Sequence, residues 1–220
     1  PILSDNFVHQ AFSALRHALG SANGDRGFWV LVSNAAGLSF DTSKTRDSRG
    51  YFKVAEDGAT ATRAAKGIAA GVRTLVGSVY FRIASAPSIN SRMVLGNGSV
   101  MRLEMNTSGN LIMSISGSSP QQTAGTYTDD ADHRLDFYYD TSGTTHTIDW
   151  SIDGTAQTQV ALAGQTAIDI TNLSLGSDTV SHTLTVWFQD LVLSATALDH
   201  PLGAHRIKGL FPNGDGTHES

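Results

Sequence analysis

Not one of the 220 residues is cysteine. That absence removes disulfide scaffolds, thiolate metal sites and cysteine nucleophiles together. Glutamate is nearly as scarce, with only Glu56, Glu104 and Glu219. Retaining glucanases on sandwich folds array carboxylates along one strand face so that they flank the sugar. None of the three glutamates stands in such an array, so glycoside hydrolysis is disfavoured. The sequence also lacks the phosphate-binding loop and the dinucleotide glycine signature. No serine sits on a strand-to-helix elbow with flanking glycines; Gly96-Asn-Gly-Ser99 reads as a hairpin turn instead. No apolar window of about 18 residues exists, so no membrane-crossing helix is predicted. The opening Pro1-Ile-Leu-Ser-Asp-Asn6 has no charged segment leading into an apolar one, so no secretion signal is expected in this chain. No repeat with a period of roughly 20–50 residues is present, which argues against propellers and solenoids.

Positive charge is scarce in the second half. Residues 1–110 hold 12 Lys/Arg against 7 Asp/Glu, a balance of +5, while residues 111–220 hold 3 against 13, a balance of −10. A nucleic-acid binder would cluster its basic residues with exposed aromatics. Here Arg63, Lys66, Arg73, Arg82, Arg92 and Arg102 are spaced singly within strand-like runs, as on outward faces, so no nucleic-acid partner is expected. The split itself suggests assembly, a basic edge of one copy meeting an acidic surface of the next.

What the sequence has in quantity is alternation. His133-Arg-Leu-Asp-Phe-Tyr-Tyr-Asp140 and His146-Thr-Ile-Asp-Trp-Ser-Ile-Asp153 place apolar residues at every second position around a short glycine-bearing connector. A period of two gives each run an inward and an outward face. Strands are predicted at Phe28–Val32, Leu38–Phe40, Tyr51–Val54, Thr60–Ala64, Thr74–Ala84, Met93–Leu95 and Met101–Met105. Others follow at Leu111–Ile115, Leu135–Tyr139, His146–Ile152, Thr158–Leu162, Ile168–Leu175 and Leu184–Leu193, the last with a phase shift at Gln189-Asp190 that marks a bulge. Turns such as Gly96-Asn-Gly98, Ser108-Gly-Asn110 and Asp153-Gly154 use residues that tolerate positive φ. Many short strands without long helical interludes predict an all-β fold: two stacked antiparallel sheets. A chain of this length buries roughly 70–75% of its unfolded surface and needs no disulfide or metal to do so. Phe7, Ala11, Phe12, Leu15 and Leu19 recur at helical spacing, with Ser4 or Asp5 as N-cap and Gly20 as stop. They predict a short N-terminal helix or irregular cover, an opening strand being the competing reading.

Four residues stand out as ligand contacts. Trp29 and Trp150 lie in phase with apolar neighbours and belong to the core, but Trp187 is out of phase with Val186 and Phe188 and is the candidate for an exposed aromatic contact. Asp129, Asp130 and Asp132 precede the Leu135 strand, and such a loop either gathers carboxylates for a ligand such as calcium or keeps a sheet end soluble. Asn213-Gly-Asp-Gly216 carries the same ambiguity. Asp136, Asp140, Asp149 and Asp153 read as the polar face of a hairpin, not as paired acids. His200 and His205, with His218 beyond, lack a third ligand and second-shell support and read as structural. No catalytic residue, metal set or cofactor is therefore expected.

Several stretches in order, Thr74–Ile83, Gly109-Asn-Leu-Ile-Met113, His133-Arg-Leu-Asp-Phe137, Asp149-Trp-Ser-Ile-Asp-Gly154 and Phe188-Gln-Asp-Leu-Val-Leu193, resemble the laminin-G/concanavalin-A-like jelly rolls of bacteriophage structural proteins. The resemblance covers residues 74–194, and Gly203–Thr217 is similar to a segment that often follows the domain. It implies a jelly-roll sandwich over residues 28–194, an N-terminal arm at 1–27 and a C-terminal extension at 195–220. It also implies a non-enzymatic virion protein, a capsid decoration or tail-associated component, with other virion proteins as partners and homo-oligomers formed by exchange of arms. The alternative is a lectin-like module for host or environmental glycans. Some family members hold calcium at the sandwich rim, but no residue-by-residue match to that site occurs here.

Overall fold

The computed structural model describes residues 2–5, 31–46, 49–68, 71–197 and 200–202. Its strands begin with β1 (Ile2–Asp5), β2 (Leu31–Ser33), β3 (Leu38–Arg46), β4 (Arg49–Ala55), β5 (Arg63–Gly67), β6 (Thr74–Arg82), β7 (Ser91–Gly96) and β8 (Met101–Met105). They continue with β9 (Asn110–Ile115), β10 (Gln121–Thr126), β11 (His133–Asp140), β12 (Thr145–Ile152), β13 (Thr155–Ala156), β14 (Val160–Ala163), β15 (Asn172–Gly176) and β16 (Thr185–Ser194). The larger sheet runs β13-β12-β11-β6-β16-β4-β3, with β1 also beside β16 and β14 beside β12; the smaller runs β10-β9-β8-β7-β15-β5-β2. All these pairings are antiparallel. The fold is the predicted all-β, two-sheet sandwich.

Alternation explains the packing. In β8, Met101, Leu103 and Met105 are buried while Arg102 and Glu104 point outward. Leu111, Met113 and Ile115 of β9 repeat the pattern. The core draws Phe52, Phe81, Phe137, Trp150 and Phe188 from the larger sheet and Leu103, Met113 and Leu175 from the smaller. Each such side chain contributes roughly 1.5–3 kcal/mol by leaving water. Trp150 keeps its indole N–H satisfied by donating to the Thr158 carbonyl at 2.9 Å. Gly77 of β6 lies opposite Phe137 of β11, and a Cβ there would come within 2.2 Å of the phenyl ring. The missing side chain is what lets the ring reach over its neighbour strand.

The expected bulge in β16 is present. Pairing with β6 shifts between Gln189 and Val192, and Asp190 adopts a φ of 52°. The kink lets one strand serve three partners: β6 along one edge, and β4 then β1 along the other.

Other segments depart from the sequence pattern. β5 begins at Arg63, not Thr60, because Asp57 Oδ1 accepts the amides of Ala59 and Thr60 at 2.9 Å each and holds them in a turn. Ile168 and Ile170 lie outside β15; their amides bond across loops to Thr141 O at 3.2 Å and Val72 O at 2.7 Å, and Ile170 is fully buried without being in a strand. β10 carries no apolar alternation and pairs with β9 at the end of the sheet. Ile2–Asp5 are strand, not a helix start. The helix expected over 7–19, Trp29, His205, His218 and Asn213-Gly-Asp-Gly216 lie outside the described residues.

Candidate binding surfaces

Trp187 does point away from the sandwich core, as its phase predicts, yet it is only 8% exposed. The second half of β3 covers it. Trp187 Nε1 donates to Asp41 Oδ2 at 2.8 Å, and the ammonium groups of Lys44 and Lys53 lie 4.8 and 5.5 Å from its ring. These are cation–π contacts on an aromatic that is already occupied. Asp41 is held down to about 2, first by the Ser43 hydroxyl and then by the Trp187 indole. An exposed aromatic contact at Trp187 is therefore corrected to a buried, capped one.

The acidic loop spreads its carboxylates instead of gathering them. Asp129 accepts from His133 Nε2 at 2.9 Å, Asp130 from Lys44 Nζ at 2.6 Å, and Asp132 from Arg82 Nη2 at 2.8 Å and the Tyr51 hydroxyl. Each acid of the loop faces a different cation, and among the described residues no group of three His, Asp or Glu is placed to hold a metal ion. Burial and the Asp132 bond push the Tyr51 phenol well up from its ordinary range.

Asp136 departs from the solvent-facing reading. It is fully buried, accepting from Arg134 Nε at 2.8 Å with Oδ2 while Oδ1 has no partner. Beside it, the Arg46 guanidinium lies 3.4 Å from the centre of the Tyr80 ring and reaches Asp190 at 2.6 Å. The outer face of the larger sheet is thus a layer of arginine, tyrosine and aspartate bound largely to one another, with Asp136 Oδ1 left over.

At the rim, His133 bridges two carboxylates. Its Nδ1 lies 2.7 Å from Asp153 Oδ2 and its Nε2 2.9 Å from Asp129 Oδ1, with the Tyr127 ring edge-on at 4.9 Å. Both nitrogens are engaged, which leaves neither free to act as a base. His146 is buried and bonded to the Thr166 carbonyl at 3.0 Å, as a structural histidine is.

The outer face of the smaller sheet is different. On β5, Arg63, Ala65 and Gly67 share one face, and their register partners on β15 are Gly176, Ser174 and Asn172. Two adjacent strands lined with such short side chains leave a hollow. Arg63, Ala65, Gly67, Gly98, Thr171, Asn172 and Ser174 surround a cavity of about 320 Å³. One wall is held in place by its own bonds: Asn172 accepts the Gly98 amide at 3.1 Å and donates to Thr171 Oγ1 at 3.1 Å, and that hydroxyl donates to Asn97 at 3.1 Å. Ser174 is fully buried, yet its Oγ has no partner. Among the arginines whose side chains are described, Arg63 is the one without a carboxylate, hydroxyl or carbonyl partner. Sequence reasoning placed Arg63 correctly on an outward strand face but had no signal for the hollow, because its two walls lie about a hundred residues apart in the chain.

No family model and no curated protein matches this chain. Solved structures share its fold. The binding domain of botulinum neurotoxin serotype D/C is 11% identical over 77% of this chain and 44% of that chain, with a TM-score of 0.52. A structure concerning botulinum neurotoxin type C, whose cell entry depends on interaction with two ganglioside molecules, is 13% identical over 76% and 45%, with a TM-score of 0.50. Trypanosoma rangeli sialidase is 12% identical over 86% and 36%, with a TM-score of 0.52. At such identities the likeness is one of fold, and this chain spans less than half of each of those proteins.

Proposed function

We propose that this chain is a non-catalytic recognition module that holds a glycan in the hollow on the outer face of its smaller sheet. The observation that carries this reading is the cavity on the outer face over β5 and β15, with one wall of short polar groups already fixed by hydrogen bonds. A preformed concave site with a few convergent polar groups is what small-ligand recognition needs. Two further points support the reading. The sandwich fold is shared with a structure concerning botulinum neurotoxin type C, whose cell entry depends on interaction with two ganglioside molecules, and the cluster nearest to an acid–base arrangement among the described residues, around His133, has both ring nitrogens tied to carboxylates. A glycan array probed with the purified chain is expected to return a defined set of micromolar binders. An array without binders would overturn the reading, and turnover of any glycan would replace it with an enzymatic one.

The carrier of this module is a separate question. The motif order from Thr74 to Leu193, which resembles phage structural jelly rolls, favours a virion, with other particle proteins and further copies of the chain as partners. Purified particles are then expected to contain the chain in a fixed copy number by quantitative mass spectrometry. Its absence from particles would remove the virion reading and leave the glycan reading untouched.

A further inference from the structure

We infer that the hollow selects acidic sugars, with Arg63 as the group that takes the ligand's carboxylate and Ser174 as a second anchor beneath it. The inference rests on the glycan reading and narrows it to one ligand class.

Two side chains in the hollow have polar capacity that the protein does not use. The first is the Arg63 guanidinium. Every other arginine with a described side chain is paired, as with Arg82 on Asp132, Arg92 on Asp178 and Arg134 on Asp136. Arg63 is partly buried at the edge of the cavity and has no such partner. A guanidinium presents planar paired donors that match a carboxylate with two parallel bonds, and such charge-assisted pairs are about twice as strong as neutral ones. The second is Ser174. A buried hydroxyl with no partner costs roughly 1–3 kcal/mol if it stays unmet, and this one lines the cavity.

Their placement puts both groups on one face of the sheet. Arg63 lies opposite Gly176, and Ser174 is two residues along β15 on the same face. Such diagonal neighbours have backbones roughly 7–8 Å apart, close enough for one ring-sized ligand to meet both side chains. The floor between them is Ala65, and the far wall is Gly67, Asn172, Thr171 and Gly98, which leaves room for a ring but offers no aromatic plate to stack it. Recognition without stacking has to come from charge and hydrogen bonds. No acid lines the cavity, so nothing repels an anion there.

The test compares acidic with neutral sugars on the intact chain. Binding of sialyllactose and of a hexuronic-acid oligosaccharide is measured by calorimetry against lactose, for the natural chain and for Arg63→Gln, Arg63→Lys and Ser174→Ala. The expected result is acidic sugars bound at least tenfold more tightly than lactose. Arg63→Gln should lose that preference, and Arg63→Lys should restore it only in part, because the ammonium keeps charge but not the fork. Ser174→Ala should weaken binding while leaving the melting temperature unchanged or raised, since it removes an unmet hydroxyl. Lactose bound as tightly as the acids, or acidic binding indifferent to Arg63→Gln, would overturn the inference and leave the glycan reading standing. A simple non-sugar carboxylate such as lactate bound as tightly as the acidic sugars would instead remove the glycan reading, while no binding of any sugar would remove both.

Discussion

Glu56 brings a carboxyl group into the sandwich without a counter-ion. It is 8% exposed. Its Oε2 accepts the Leu184 amide at 3.4 Å, while Oε1 has no partner. Burial pushes its pKa up to about 8, against the pull of the Leu184 and Ser177 amides. The folded state therefore holds the neutral acid across the ordinary physiological range. Because the folded pKa is raised, the linked stability is fully present below about 4.5 and is lost as pH rises through about 8. The ceiling on that loss is ~5 kcal/mol, one pKa unit being worth ~1.4 kcal/mol. Glu56→Gln keeps the shape and the hydrogen-bonding oxygen but cannot ionise. Melting temperatures followed from pH 5 to pH 9 should fall for the natural chain and fall much less for the variant. Parallel curves for the two proteins would show that Glu56 is not the titrating group.

At the scale of elements, His133 joins the start of β11 to the Asp153–Gly154 turn after β12 and to the loop carrying Asp129. The two contacts ask for two N–H donors, so the ring that makes both is an imidazolium. Burial works against that charge, but the bonds to Asp153 and Asp129 outweigh it and raise the pKa above the ordinary histidine value. The clamp is complete below that ordinary value of 6.5 and is lost as pH rises through the raised one. Proton NMR of the imidazole should give a titration midpoint above 6.5, moving down toward it in Asp153→Asn; a midpoint at or below 6.5 in the natural chain removes the clamp. Histidine, aspartate and spacing were all visible in the sequence, but the contact was not, since Asp153 reaches His133 only once β11 and β12 pair. The same limit holds elsewhere. Alternation was enough to find β6, β8, β9, β11, β12 and β16 and to send Trp187 outward. It could not foresee that β3 would run on past Phe40 as a polar strand and cover that indole, nor that Asp136 on the outward face would lie under Arg134. Alternation reports which side of a sheet a residue takes, and only the neighbouring chain decides whether that side is wet.

The charge split between the halves of the chain acts within the molecule. Lys44 meets Asp130, Arg46 meets Asp190, Arg73 meets Asp169, Arg82 meets Asp132 and Arg92 meets Asp178, each pair joining a base from the first half to an acid from the second. Assembly with another copy is thus not needed to account for it. The exposed pairs, such as Arg73 with Asp169, are worth little by themselves; opposite net charges on the two halves are expected to guide their encounter. Strand order gives that guidance a purpose, because β6 lies between β11 and β16, and β15 lies between β7 and β5. Neither half of the chain can complete either sheet alone. The β9–β10 connection at Gly117–Pro120 is a natural place to divide it, and residues 111–118 carry no charge, so fragments 1–118 and 119–220 keep the balances of +5 and −10. Separately, each fragment should lack a cooperative unfolding transition, because its strands have no partners and its apolar faces no cover. Mixed at low salt, they should regain the far-ultraviolet signature of the whole chain. The association rate should fall steeply as ionic strength rises, since opposite net charges steer the encounter and salt screens them. Cooperative melting of either fragment alone would mean that one half closes a core by itself, and an association rate indifferent to salt would mean that the split plays no part in bringing the sheets together.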